Sequence, residues 1–296
     1  MTGRAPALVH TRDDLQAVTQ DEQPATPDAV GVVMTMGALH DGHRELIRLA
    51  RKRCARIVVT VFLNPLQFAP GEDLSRYPKT LPDDVALCAE EGVDVVFAPG
   101  ADEVYPGGEP QVRVSAGPLG DVLEGESRPG HFDGVLTVVA KLLHLTTPDV
   151  AYFGQKDAQQ LLLISRMVTD LNFPTEVVAV PTVRDADGLA LSSRNTYLSA
   201  DDRLVALALS RALVAAADVQ GAGPIAVRRS ARAVLDAEPS LRLDYCRLVD
   251  PASLVDVADD AVGPAVLLLA ARVGSTRLID NALLQIRAAA SGQAAR

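Results

Sequence analysis

Two of the chain's five histidines stand three residues apart, in the segment Met36–His43, which reads MGALHDGH. An imidazole N–H is a good donor to phosphate oxygen. The segment follows an apolar, β-rich run, Val30–Thr35 (VGVVMT), and precedes a helical pattern over Arg44–Cys54. A strand-to-helix loop of this kind offers unpaired N–H groups and partial positive charge at the helix start, the setting for an anion. Gly37 and Gly42 are expected to let a bulky anion approach the backbone. Three further segments carry matching chemistry. In Asn64–Phe68 (NPLQF), the Gln67 amide can donate to a carboxylate or hydroxyl and accept from an amine. In Gly154–Gln160 (GQKDAQQ), Lys156 opens a helix, where an ammonium is unfavourable unless something negative lies nearby. Asp157 can cap that helix, and Gln160 lies one turn beyond Lys156 on the same face. In Leu191–Asn195 (LSSRN), two hydroxyls and the guanidinium of Arg194 make a phosphate clamp on a loop. Competing readings stand beside these. The histidine pair can hold a metal or simply cap its helix, Lys156 can be a solvated surface lysine, and Gln67 a turn residue facing water. No HExxH motif and no third ligand near the pair support a metal. The absence of GxGxxG speaks against a dehydrogenase.

The elements that position these segments follow from alternation. Strands are expected at Val30–Thr35, Ile57–Leu63, Val93–Ala98, Val150–Phe153 and Glu176–Val180. Between them the spacing predicts helices over Arg44–Cys54, Pro82–Glu91, Val135–Leu145 (capped by Asp133) and Ala158–Leu171. Such order builds an α/β fold, a Rossmann-like parallel sheet with helices on both faces. All four segments then lie past strand ends or just beyond the last strand. The texture changes near Pro181–Arg184, with a tight turn at Asp185–Gly188, and a domain boundary is placed at 182/183. Residues 183–296 are expected to form a smaller C-terminal α+β lid domain. It comprises a helix over Asp201–Val219, another from Pro224, strands at Asp244–Val249 and Ala265–Val273, and a frayed tail from Ala288.

Composition narrows the class. A hydrophobic fraction of 48% excludes general disorder, and a net charge of −10 argues against a nucleic-acid binder. Lys156 is one of only four lysines. The first residues hold no apolar stretch of leader length, and no run suffices to span a bilayer. Cys54, Cys88 and Cys246 form no CxxC pair and read as buried thiols of a reducing compartment. A cytoplasmic location is therefore expected.

HDGH resembles the HIGH motif of the nucleotidyltransferase superfamily, and MTMGALHDGH resembles more closely one family within it, the pantoate–β-alanine ligases. NPLQF is similar to that family's NPxQF, GQKDAQQ to GEKDxQQ, and LSSRN to MSSRN, over about Val9 to Ile286. The chain departs from the pattern at Met34 (usually proline), Gln155 (glutamate), Ala158 (tyrosine) and Leu191 (methionine). The resemblance implies ATP contacts from Met36, Gly37, Ala38, Leu39, His40, Asp41, Gly42, His43, Gly154, Gln155, Lys156, Asp157, Val183, Leu191, Ser192, Ser193 and Arg194. It implies pantoate and β-alanine contacts from Gln67 and Gln160, and catalytic duty for His40, His43, Lys156 and Arg194. It also implies Mg²⁺ and a homodimer; and because the Ser192–Arg194 loop and the histidines fall in different expected domains, closure of the second domain on the nucleotide is expected. The apolar Ile57–Leu63 strand is one candidate for the dimer contact. Asp83 and Asp84 read either as favourable first-turn acids or as Mg²⁺ ligands. His131, in GHFDGVL, reads as a site or interface residue.

The implied reaction has two steps. Pantoate carboxylate displaces pyrophosphate from ATP, and β-alanine then displaces AMP from pantoyl adenylate. The alternatives are another nucleotidyltransferase of the superfamily and a non-catalytic protein that kept the fold.

Overall fold

The computed structural model describes residues 5–20, 30–68 and 73–287. The tail expected from Ala288 lies outside them, as do the first four residues of the segment inspected for a leader. The chain divides into two compact units, Met1–Thr182 and Val183–Arg296.

The first unit is a six-stranded parallel sheet in the order β1-β4-β3-β2-β5-β6. The strands are β1 (Ala7–Val9), β2 (Val30–Thr35), β3 (Arg56–Val61), β4 (Val95–Phe97), β5 (Val150–Gly154) and β6 (Glu176–Val180). The helices are α1 (Arg12–Gln20), α2 (Asp41–Arg53), α3 (Leu81–Glu90), the short α4 (Ala101–Val104) and α5 (Glu124–Ser127), α6 (His131–Thr146) and α7 (Ala158–Asp170). Apolar residues run continuously along the central strands because both faces are covered. Val32, Val58 and Val95 are in register and pack with Leu136, Val139 and Leu143 of α6 and Ile164 and Met167 of α7. Val33, Val59 and Val96, one residue on, point the other way, toward Ile47 and Ala50 of α2 and Leu87 and Cys88 of α3. The chain leaves β2 toward β3 on one side and later returns to pair β5 on the other. Adjacent strands whose connections diverge make the crevice where such sheets bind ligands.

Three expectations are corrected here. The sheet has an additional edge strand, β1, followed by α1. Three apolar residues were too short a run to read as a strand. Because β1 and β4 lie beyond it, β3 is interior and is paired on both sides, so it offers no edge to a second copy. Asp133 does not cap α6. That position is held by Gly130 at φ +78°, and the Asp133 carboxylate instead accepts the Ala116 N–H at 2.7 Å.

The second unit pairs two helices, α8 (Ala200–Asp218) and α9 (Pro224–Asp236), with an antiparallel sheet of β7 (Leu241–Val249), β8 (Gly263–Val273) and β9 (Thr276–Ile286). Ala208, Ala212 and Ala216 on α8 keep it close to the buried row Ala265, Leu267, Leu269 and Ala271 of β8. Strand β9 was not expected, because Arg277, Asp280 and Asn281 interrupt its apolar pattern. In the fold Asp280 is buried, and the Arg184 guanidinium donates to its two oxygens at 2.6 and 2.9 Å. Among the described residues no helix is long and apolar enough to cross a membrane.

Candidate active site

The loop after β2 enters α2 through an unusual cap. His40 is the N-cap, with extended backbone at φ −137°, and its Nδ1 accepts the Gly42 N–H at 3.2 Å. Three residues on, His43 Nδ1 accepts the His40 N–H at 3.2 Å. Two imidazoles thus form the reciprocal capping box usually made by a hydroxyl and a carboxamide or carboxylate. Their ring centroids lie 4.2 Å apart. The capping reading of this pair is realised, and it constrains the chemistry. With each Nδ1 accepting, a neutral ring carries its proton on Nε2. Burial, followed by the neighbouring His40 and the Lys156 charge, lowers the His43 pKa from 6.5 to about 3. At neutral pH His43 is an uncharged imidazole with an N–H fixed on Nε2. Occupied Nδ1 lone pairs also remove half of the donor set a metal would use, and among the described residues no three His, Cys, Asp or Glu side chains gather around a metal position.

The expected backbone cradle is not what the loop presents. The Gly37 N–H donates to Thr35 Oγ1 at 3.2 Å. The Ala38 and Leu39 N–H groups donate to the two carboxylate oxygens of Asp84, at 3.2 and 2.8 Å. With His40 and Gly42 also engaged by ring nitrogens, these amides face protein acceptors rather than a ligand. What the neutral rings keep as donors are their Nε2–H groups. Gly37 is required where it stands. Its φ is +86°, and a Cβ there would lie 3.1 Å from Asp84 Oδ2 and 3.2 Å from Val61 Cγ1.

Asp84 is only 2% exposed, whereas Asp83 is exposed. The Asp84 oxygens accept two backbone N–H groups and the Thr80 hydroxyl. Donors aimed at both oxygens do not suit a Mg²⁺ ligand, so this carboxylate does not fit the metal role that was one of its two readings.

After β3 the NPLQF segment forms a 3₁₀ turn at Pro65–Gln67. Asn64 is buried and fully engaged. Its Oδ1 accepts from the Leu66 N–H and the Tyr105 hydroxyl, and its Nδ2 donates to Gln67 Oε1 and the Gly134 carbonyl. Gln67 Nε2 donates to the Met36 sulfur at 3.0 Å, joining this turn to the histidine loop. The Gln67 carbonyl accepts from His131 Nδ1 at 2.8 Å and Arg128 Nη2 at 3.1 Å. Helix α6 comes this close because residue 134 is glycine; a Cβ there would stand 2.2 Å from the Leu66 carbonyl oxygen. A cavity of about 570 Å³ opens beside the turn, lined by Leu66, Gln67, Phe68, Tyr105, Arg128 and His131 among others. Nothing in the sequence pointed to a role for Asn64 or Arg128.

After β5, Gln155–Asp157 form a 3₁₀ turn that leads into α7. Asp157 occupies the N-cap position without a side-chain cap bond, contrary to one of its two readings. The adjacent glutamines separate cleanly. Gln159 is buried, accepting the Glu124 N–H and donating to the Leu119 and Val122 carbonyls. Gln160 is half-buried, as are Gly154, Gln155, Lys156 and Asp157. The charge of Lys156 is felt at His43, so the histidine loop, the NPLQF turn and the GQKD turn converge in the first unit.

In the second unit, Leu191 N–H donates to the Val183 carbonyl at 3.0 Å, closing a short hairpin with the Arg184–Ala190 bridge. The Arg184–Asp280 pair and the bonds from Arg203 to Asp185 and Asp187 anchor it. Ser192 caps the following turn, its Oγ accepting the Arg194 N–H, and Asn195 Nδ2 donates to the Ala190 carbonyl. Ser193 and Arg194 are half-buried on that turn.

A parallel sheet with a histidine pair past a central strand has the form of the HIGH-motif nucleotidyltransferases. Within that class, the family model for pantoate-beta-alanine ligase matches residues 7–283, and the chain belongs to that family. A pantothenate synthetase of Streptomyces avermitilis is 53% identical, with 95% of this chain and 98% of the relative covered. The crystal structure of pantothenate synthetase from Thermus thermophilus superposes with a TM-score of 0.86 at 49% identity, covering 93% of this chain and 98% of that one. The pantoate-beta-alanine ligase of Francisella tularensis, complexed with βγ-ATP and β-alanine, has a TM-score of 0.77 at 32% identity, covering 94% and 98%. The chain is thus a pantoate–β-alanine ligase in family and enzyme class.

Proposed function

We propose that this chain joins (R)-pantoate to β-alanine at the expense of ATP, forming pantothenate for coenzyme A synthesis. The pantoate carboxylate attacks the α-phosphorus, the bond to the β-phosphate oxygen breaks, and pyrophosphate leaves. The β-alanine amine then attacks the acyl carbon of pantoyl adenylate, loses a proton, and AMP departs. The first nucleophile is already an anion, so the demand is for charge stabilisation rather than for a base. His40 and His43 meet it through their Nε2–H groups, Lys156 through its ammonium and Arg194 through its guanidinium. Met36–His43, Gly154–Asp157, Val183 and Leu191–Arg194 are assigned to ATP, and Gln67 and Gln160 to pantoate and β-alanine. Residues 1–182 act as the nucleotide- and pantoate-binding domain and 183–296 as the lid. Mg²⁺ is assigned to the incoming nucleotide rather than to a protein cage. Family likeness further supports a homodimer working in the cytoplasm.

The observation that carries this reading is the Gln67–Met36 contact. It sets an amide suited to a hydroxy acid against the loop that presents the phosphate donors. The test is pyrophosphate release from ATP, Mg²⁺ and pantoate, with and without β-alanine. Turnover with free AMP and pantothenate only when both acids are present supports it. A product that keeps the nucleotide, or no turnover between pH 7 and 9, overturns it.

A further inference from the structure

We propose that Asp84 is a positioning residue for adenylate formation, acting through the loop Met36–His40 rather than on the substrate or a metal. The inference rests on the function proposed above. Asp84 shares the face of α3 that carries Leu87 and Cys88, at spacings of three and four, and all three are buried. A carboxylate on an apolar stripe persists only when its oxygens are satisfied. Here the partners are specific. Oδ1 accepts the Leu39 N–H at 2.8 Å and the Thr80 hydroxyl at 3.3 Å, and Oδ2 accepts the Ala38 N–H at 3.2 Å.

These bonds hold a strained turn. Gly37 and Ala38 are successive left-handed residues, at φ +86° and +53°. A single alanine rarely keeps that conformation unless its surroundings enforce it. The reversal carries the chain from the end of β2 to His40 in the extended conformation its cap needs. His40 in turn donates its N–H to His43, which fixes the tautomer and the direction of the second ring. Asp84 therefore sets both Nε2–H groups without touching what they bind. Removing it leaves the Ala38 and Leu39 amides without acceptors and frees the loop to relax. A misplacement of about 1 Å at a reacting centre lowers rate by about 10²-fold.

The test compares the full-length protein with Asp84→Asn and Asp84→Ala. It reads hydrogen exchange of the 36–40 backbone, kcat, KM for ATP and β-alanine, and the Mg²⁺ concentration for half-maximal activity. With cooperative melting retained, Asp84→Asn is expected to exchange faster over 36–40 and to lose about 10²-fold in kcat. KM for β-alanine and the Mg²⁺ dependence should stay as in the wild type. Wild-type exchange and kcat in a folded variant overturn the proposal, as does activity restored by added Mg²⁺, the signature of a lost metal ligand. Should neither Asp84 variant fold, Thr80→Val decides. Faster loop exchange with reduced kcat supports the positioning role, and unchanged values overturn it. A wild-type chain that makes no pantothenate refutes the proposed function, while the exchange comparison still settles whether Asp84 holds the loop.

Discussion

Lowering the pH from 8 to 5 should remove about 2 kcal/mol of folding stability through His43 alone. The unfolded chain's histidine titrates near 6.5, while burial, His40 and Lys156 hold the folded ring near 3. Between those values the unfolded state carries a proton that the folded state refuses, so stability falls as pH falls. Each pH unit below 6.5 costs about 1.36 kcal/mol, and 1.5 units give about 2. The result is insensitive to the folded value as long as it stays well below 5. Protonating His43 Nδ1 also turns the acceptor of the His40 N–H into a donor, so the capping box opens as the charge appears. The assay is urea unfolding of wild type and His43→Gln at pH 8 and pH 5. The wild type should lose about 2 kcal/mol more than the variant over that interval. Equal losses in the two proteins, or an NMR titration of His43 with a midpoint between 6 and 7, would refute the reasoning.

Other outcomes follow from the same geometry. His43→Ala and Lys156→Ala should each lower adenylate formation by about 10²–10³-fold in pyrophosphate-release assays, with near-wild-type far-ultraviolet dichroism. Asn64→Ala leaves the Tyr105 hydroxyl, the Leu66 N–H and the Gly134 carbonyl without their buried partner. It should cost about 2–4 kcal/mol in denaturant unfolding and raise KM for pantoate through the released Gln67. Arg184→Ala strands the buried Asp280 carboxylate and should cost about 3 kcal/mol, read as earlier unfolding of the second unit by pulse proteolysis.

The parallel sheet was legible because Val30–Thr35 and Val150–Phe153 are β-rich runs set between amphipathic stretches. Those are patterns that burial on two faces imposes. The site segments were legible for a related reason. MGALHDGH, NPLQF and GQKDAQQ each follow such a run, where a parallel sheet must open its crevice. What escaped was decided by pairing across long sequence distances. Strand β9 hides behind Arg277 and Asp280, whose charges make sense only once Asp244 is brought to the first and Arg184, 96 residues away in sequence, to the second. The direction of the loop amides was also out of reach, since nothing in MGALHDGH announces that Asp84 will take two of them. One signal did exist. Asp84, Leu87 and Cys88 fall on one helical face, which marks the acid as buried rather than as a favourable charge at a helix start. The histidines were read as phosphate donors, as metal ligands or as caps, and the structure makes them caps that keep an N–H on Nε2.

The central claim is that a pantoate oxygen becomes bonded to the α-phosphorus of ATP, and isotope transfer tests it most directly. Pantoate labelled with ¹⁸O in its carboxylate is turned over with ATP, Mg²⁺ and β-alanine, and the products are weighed by mass spectrometry. One ¹⁸O is expected in each AMP formed, with pyrophosphate unlabelled. Label in inorganic phosphate with ADP as the nucleotide product, or unlabelled AMP beside pantothenate, would contradict the claim.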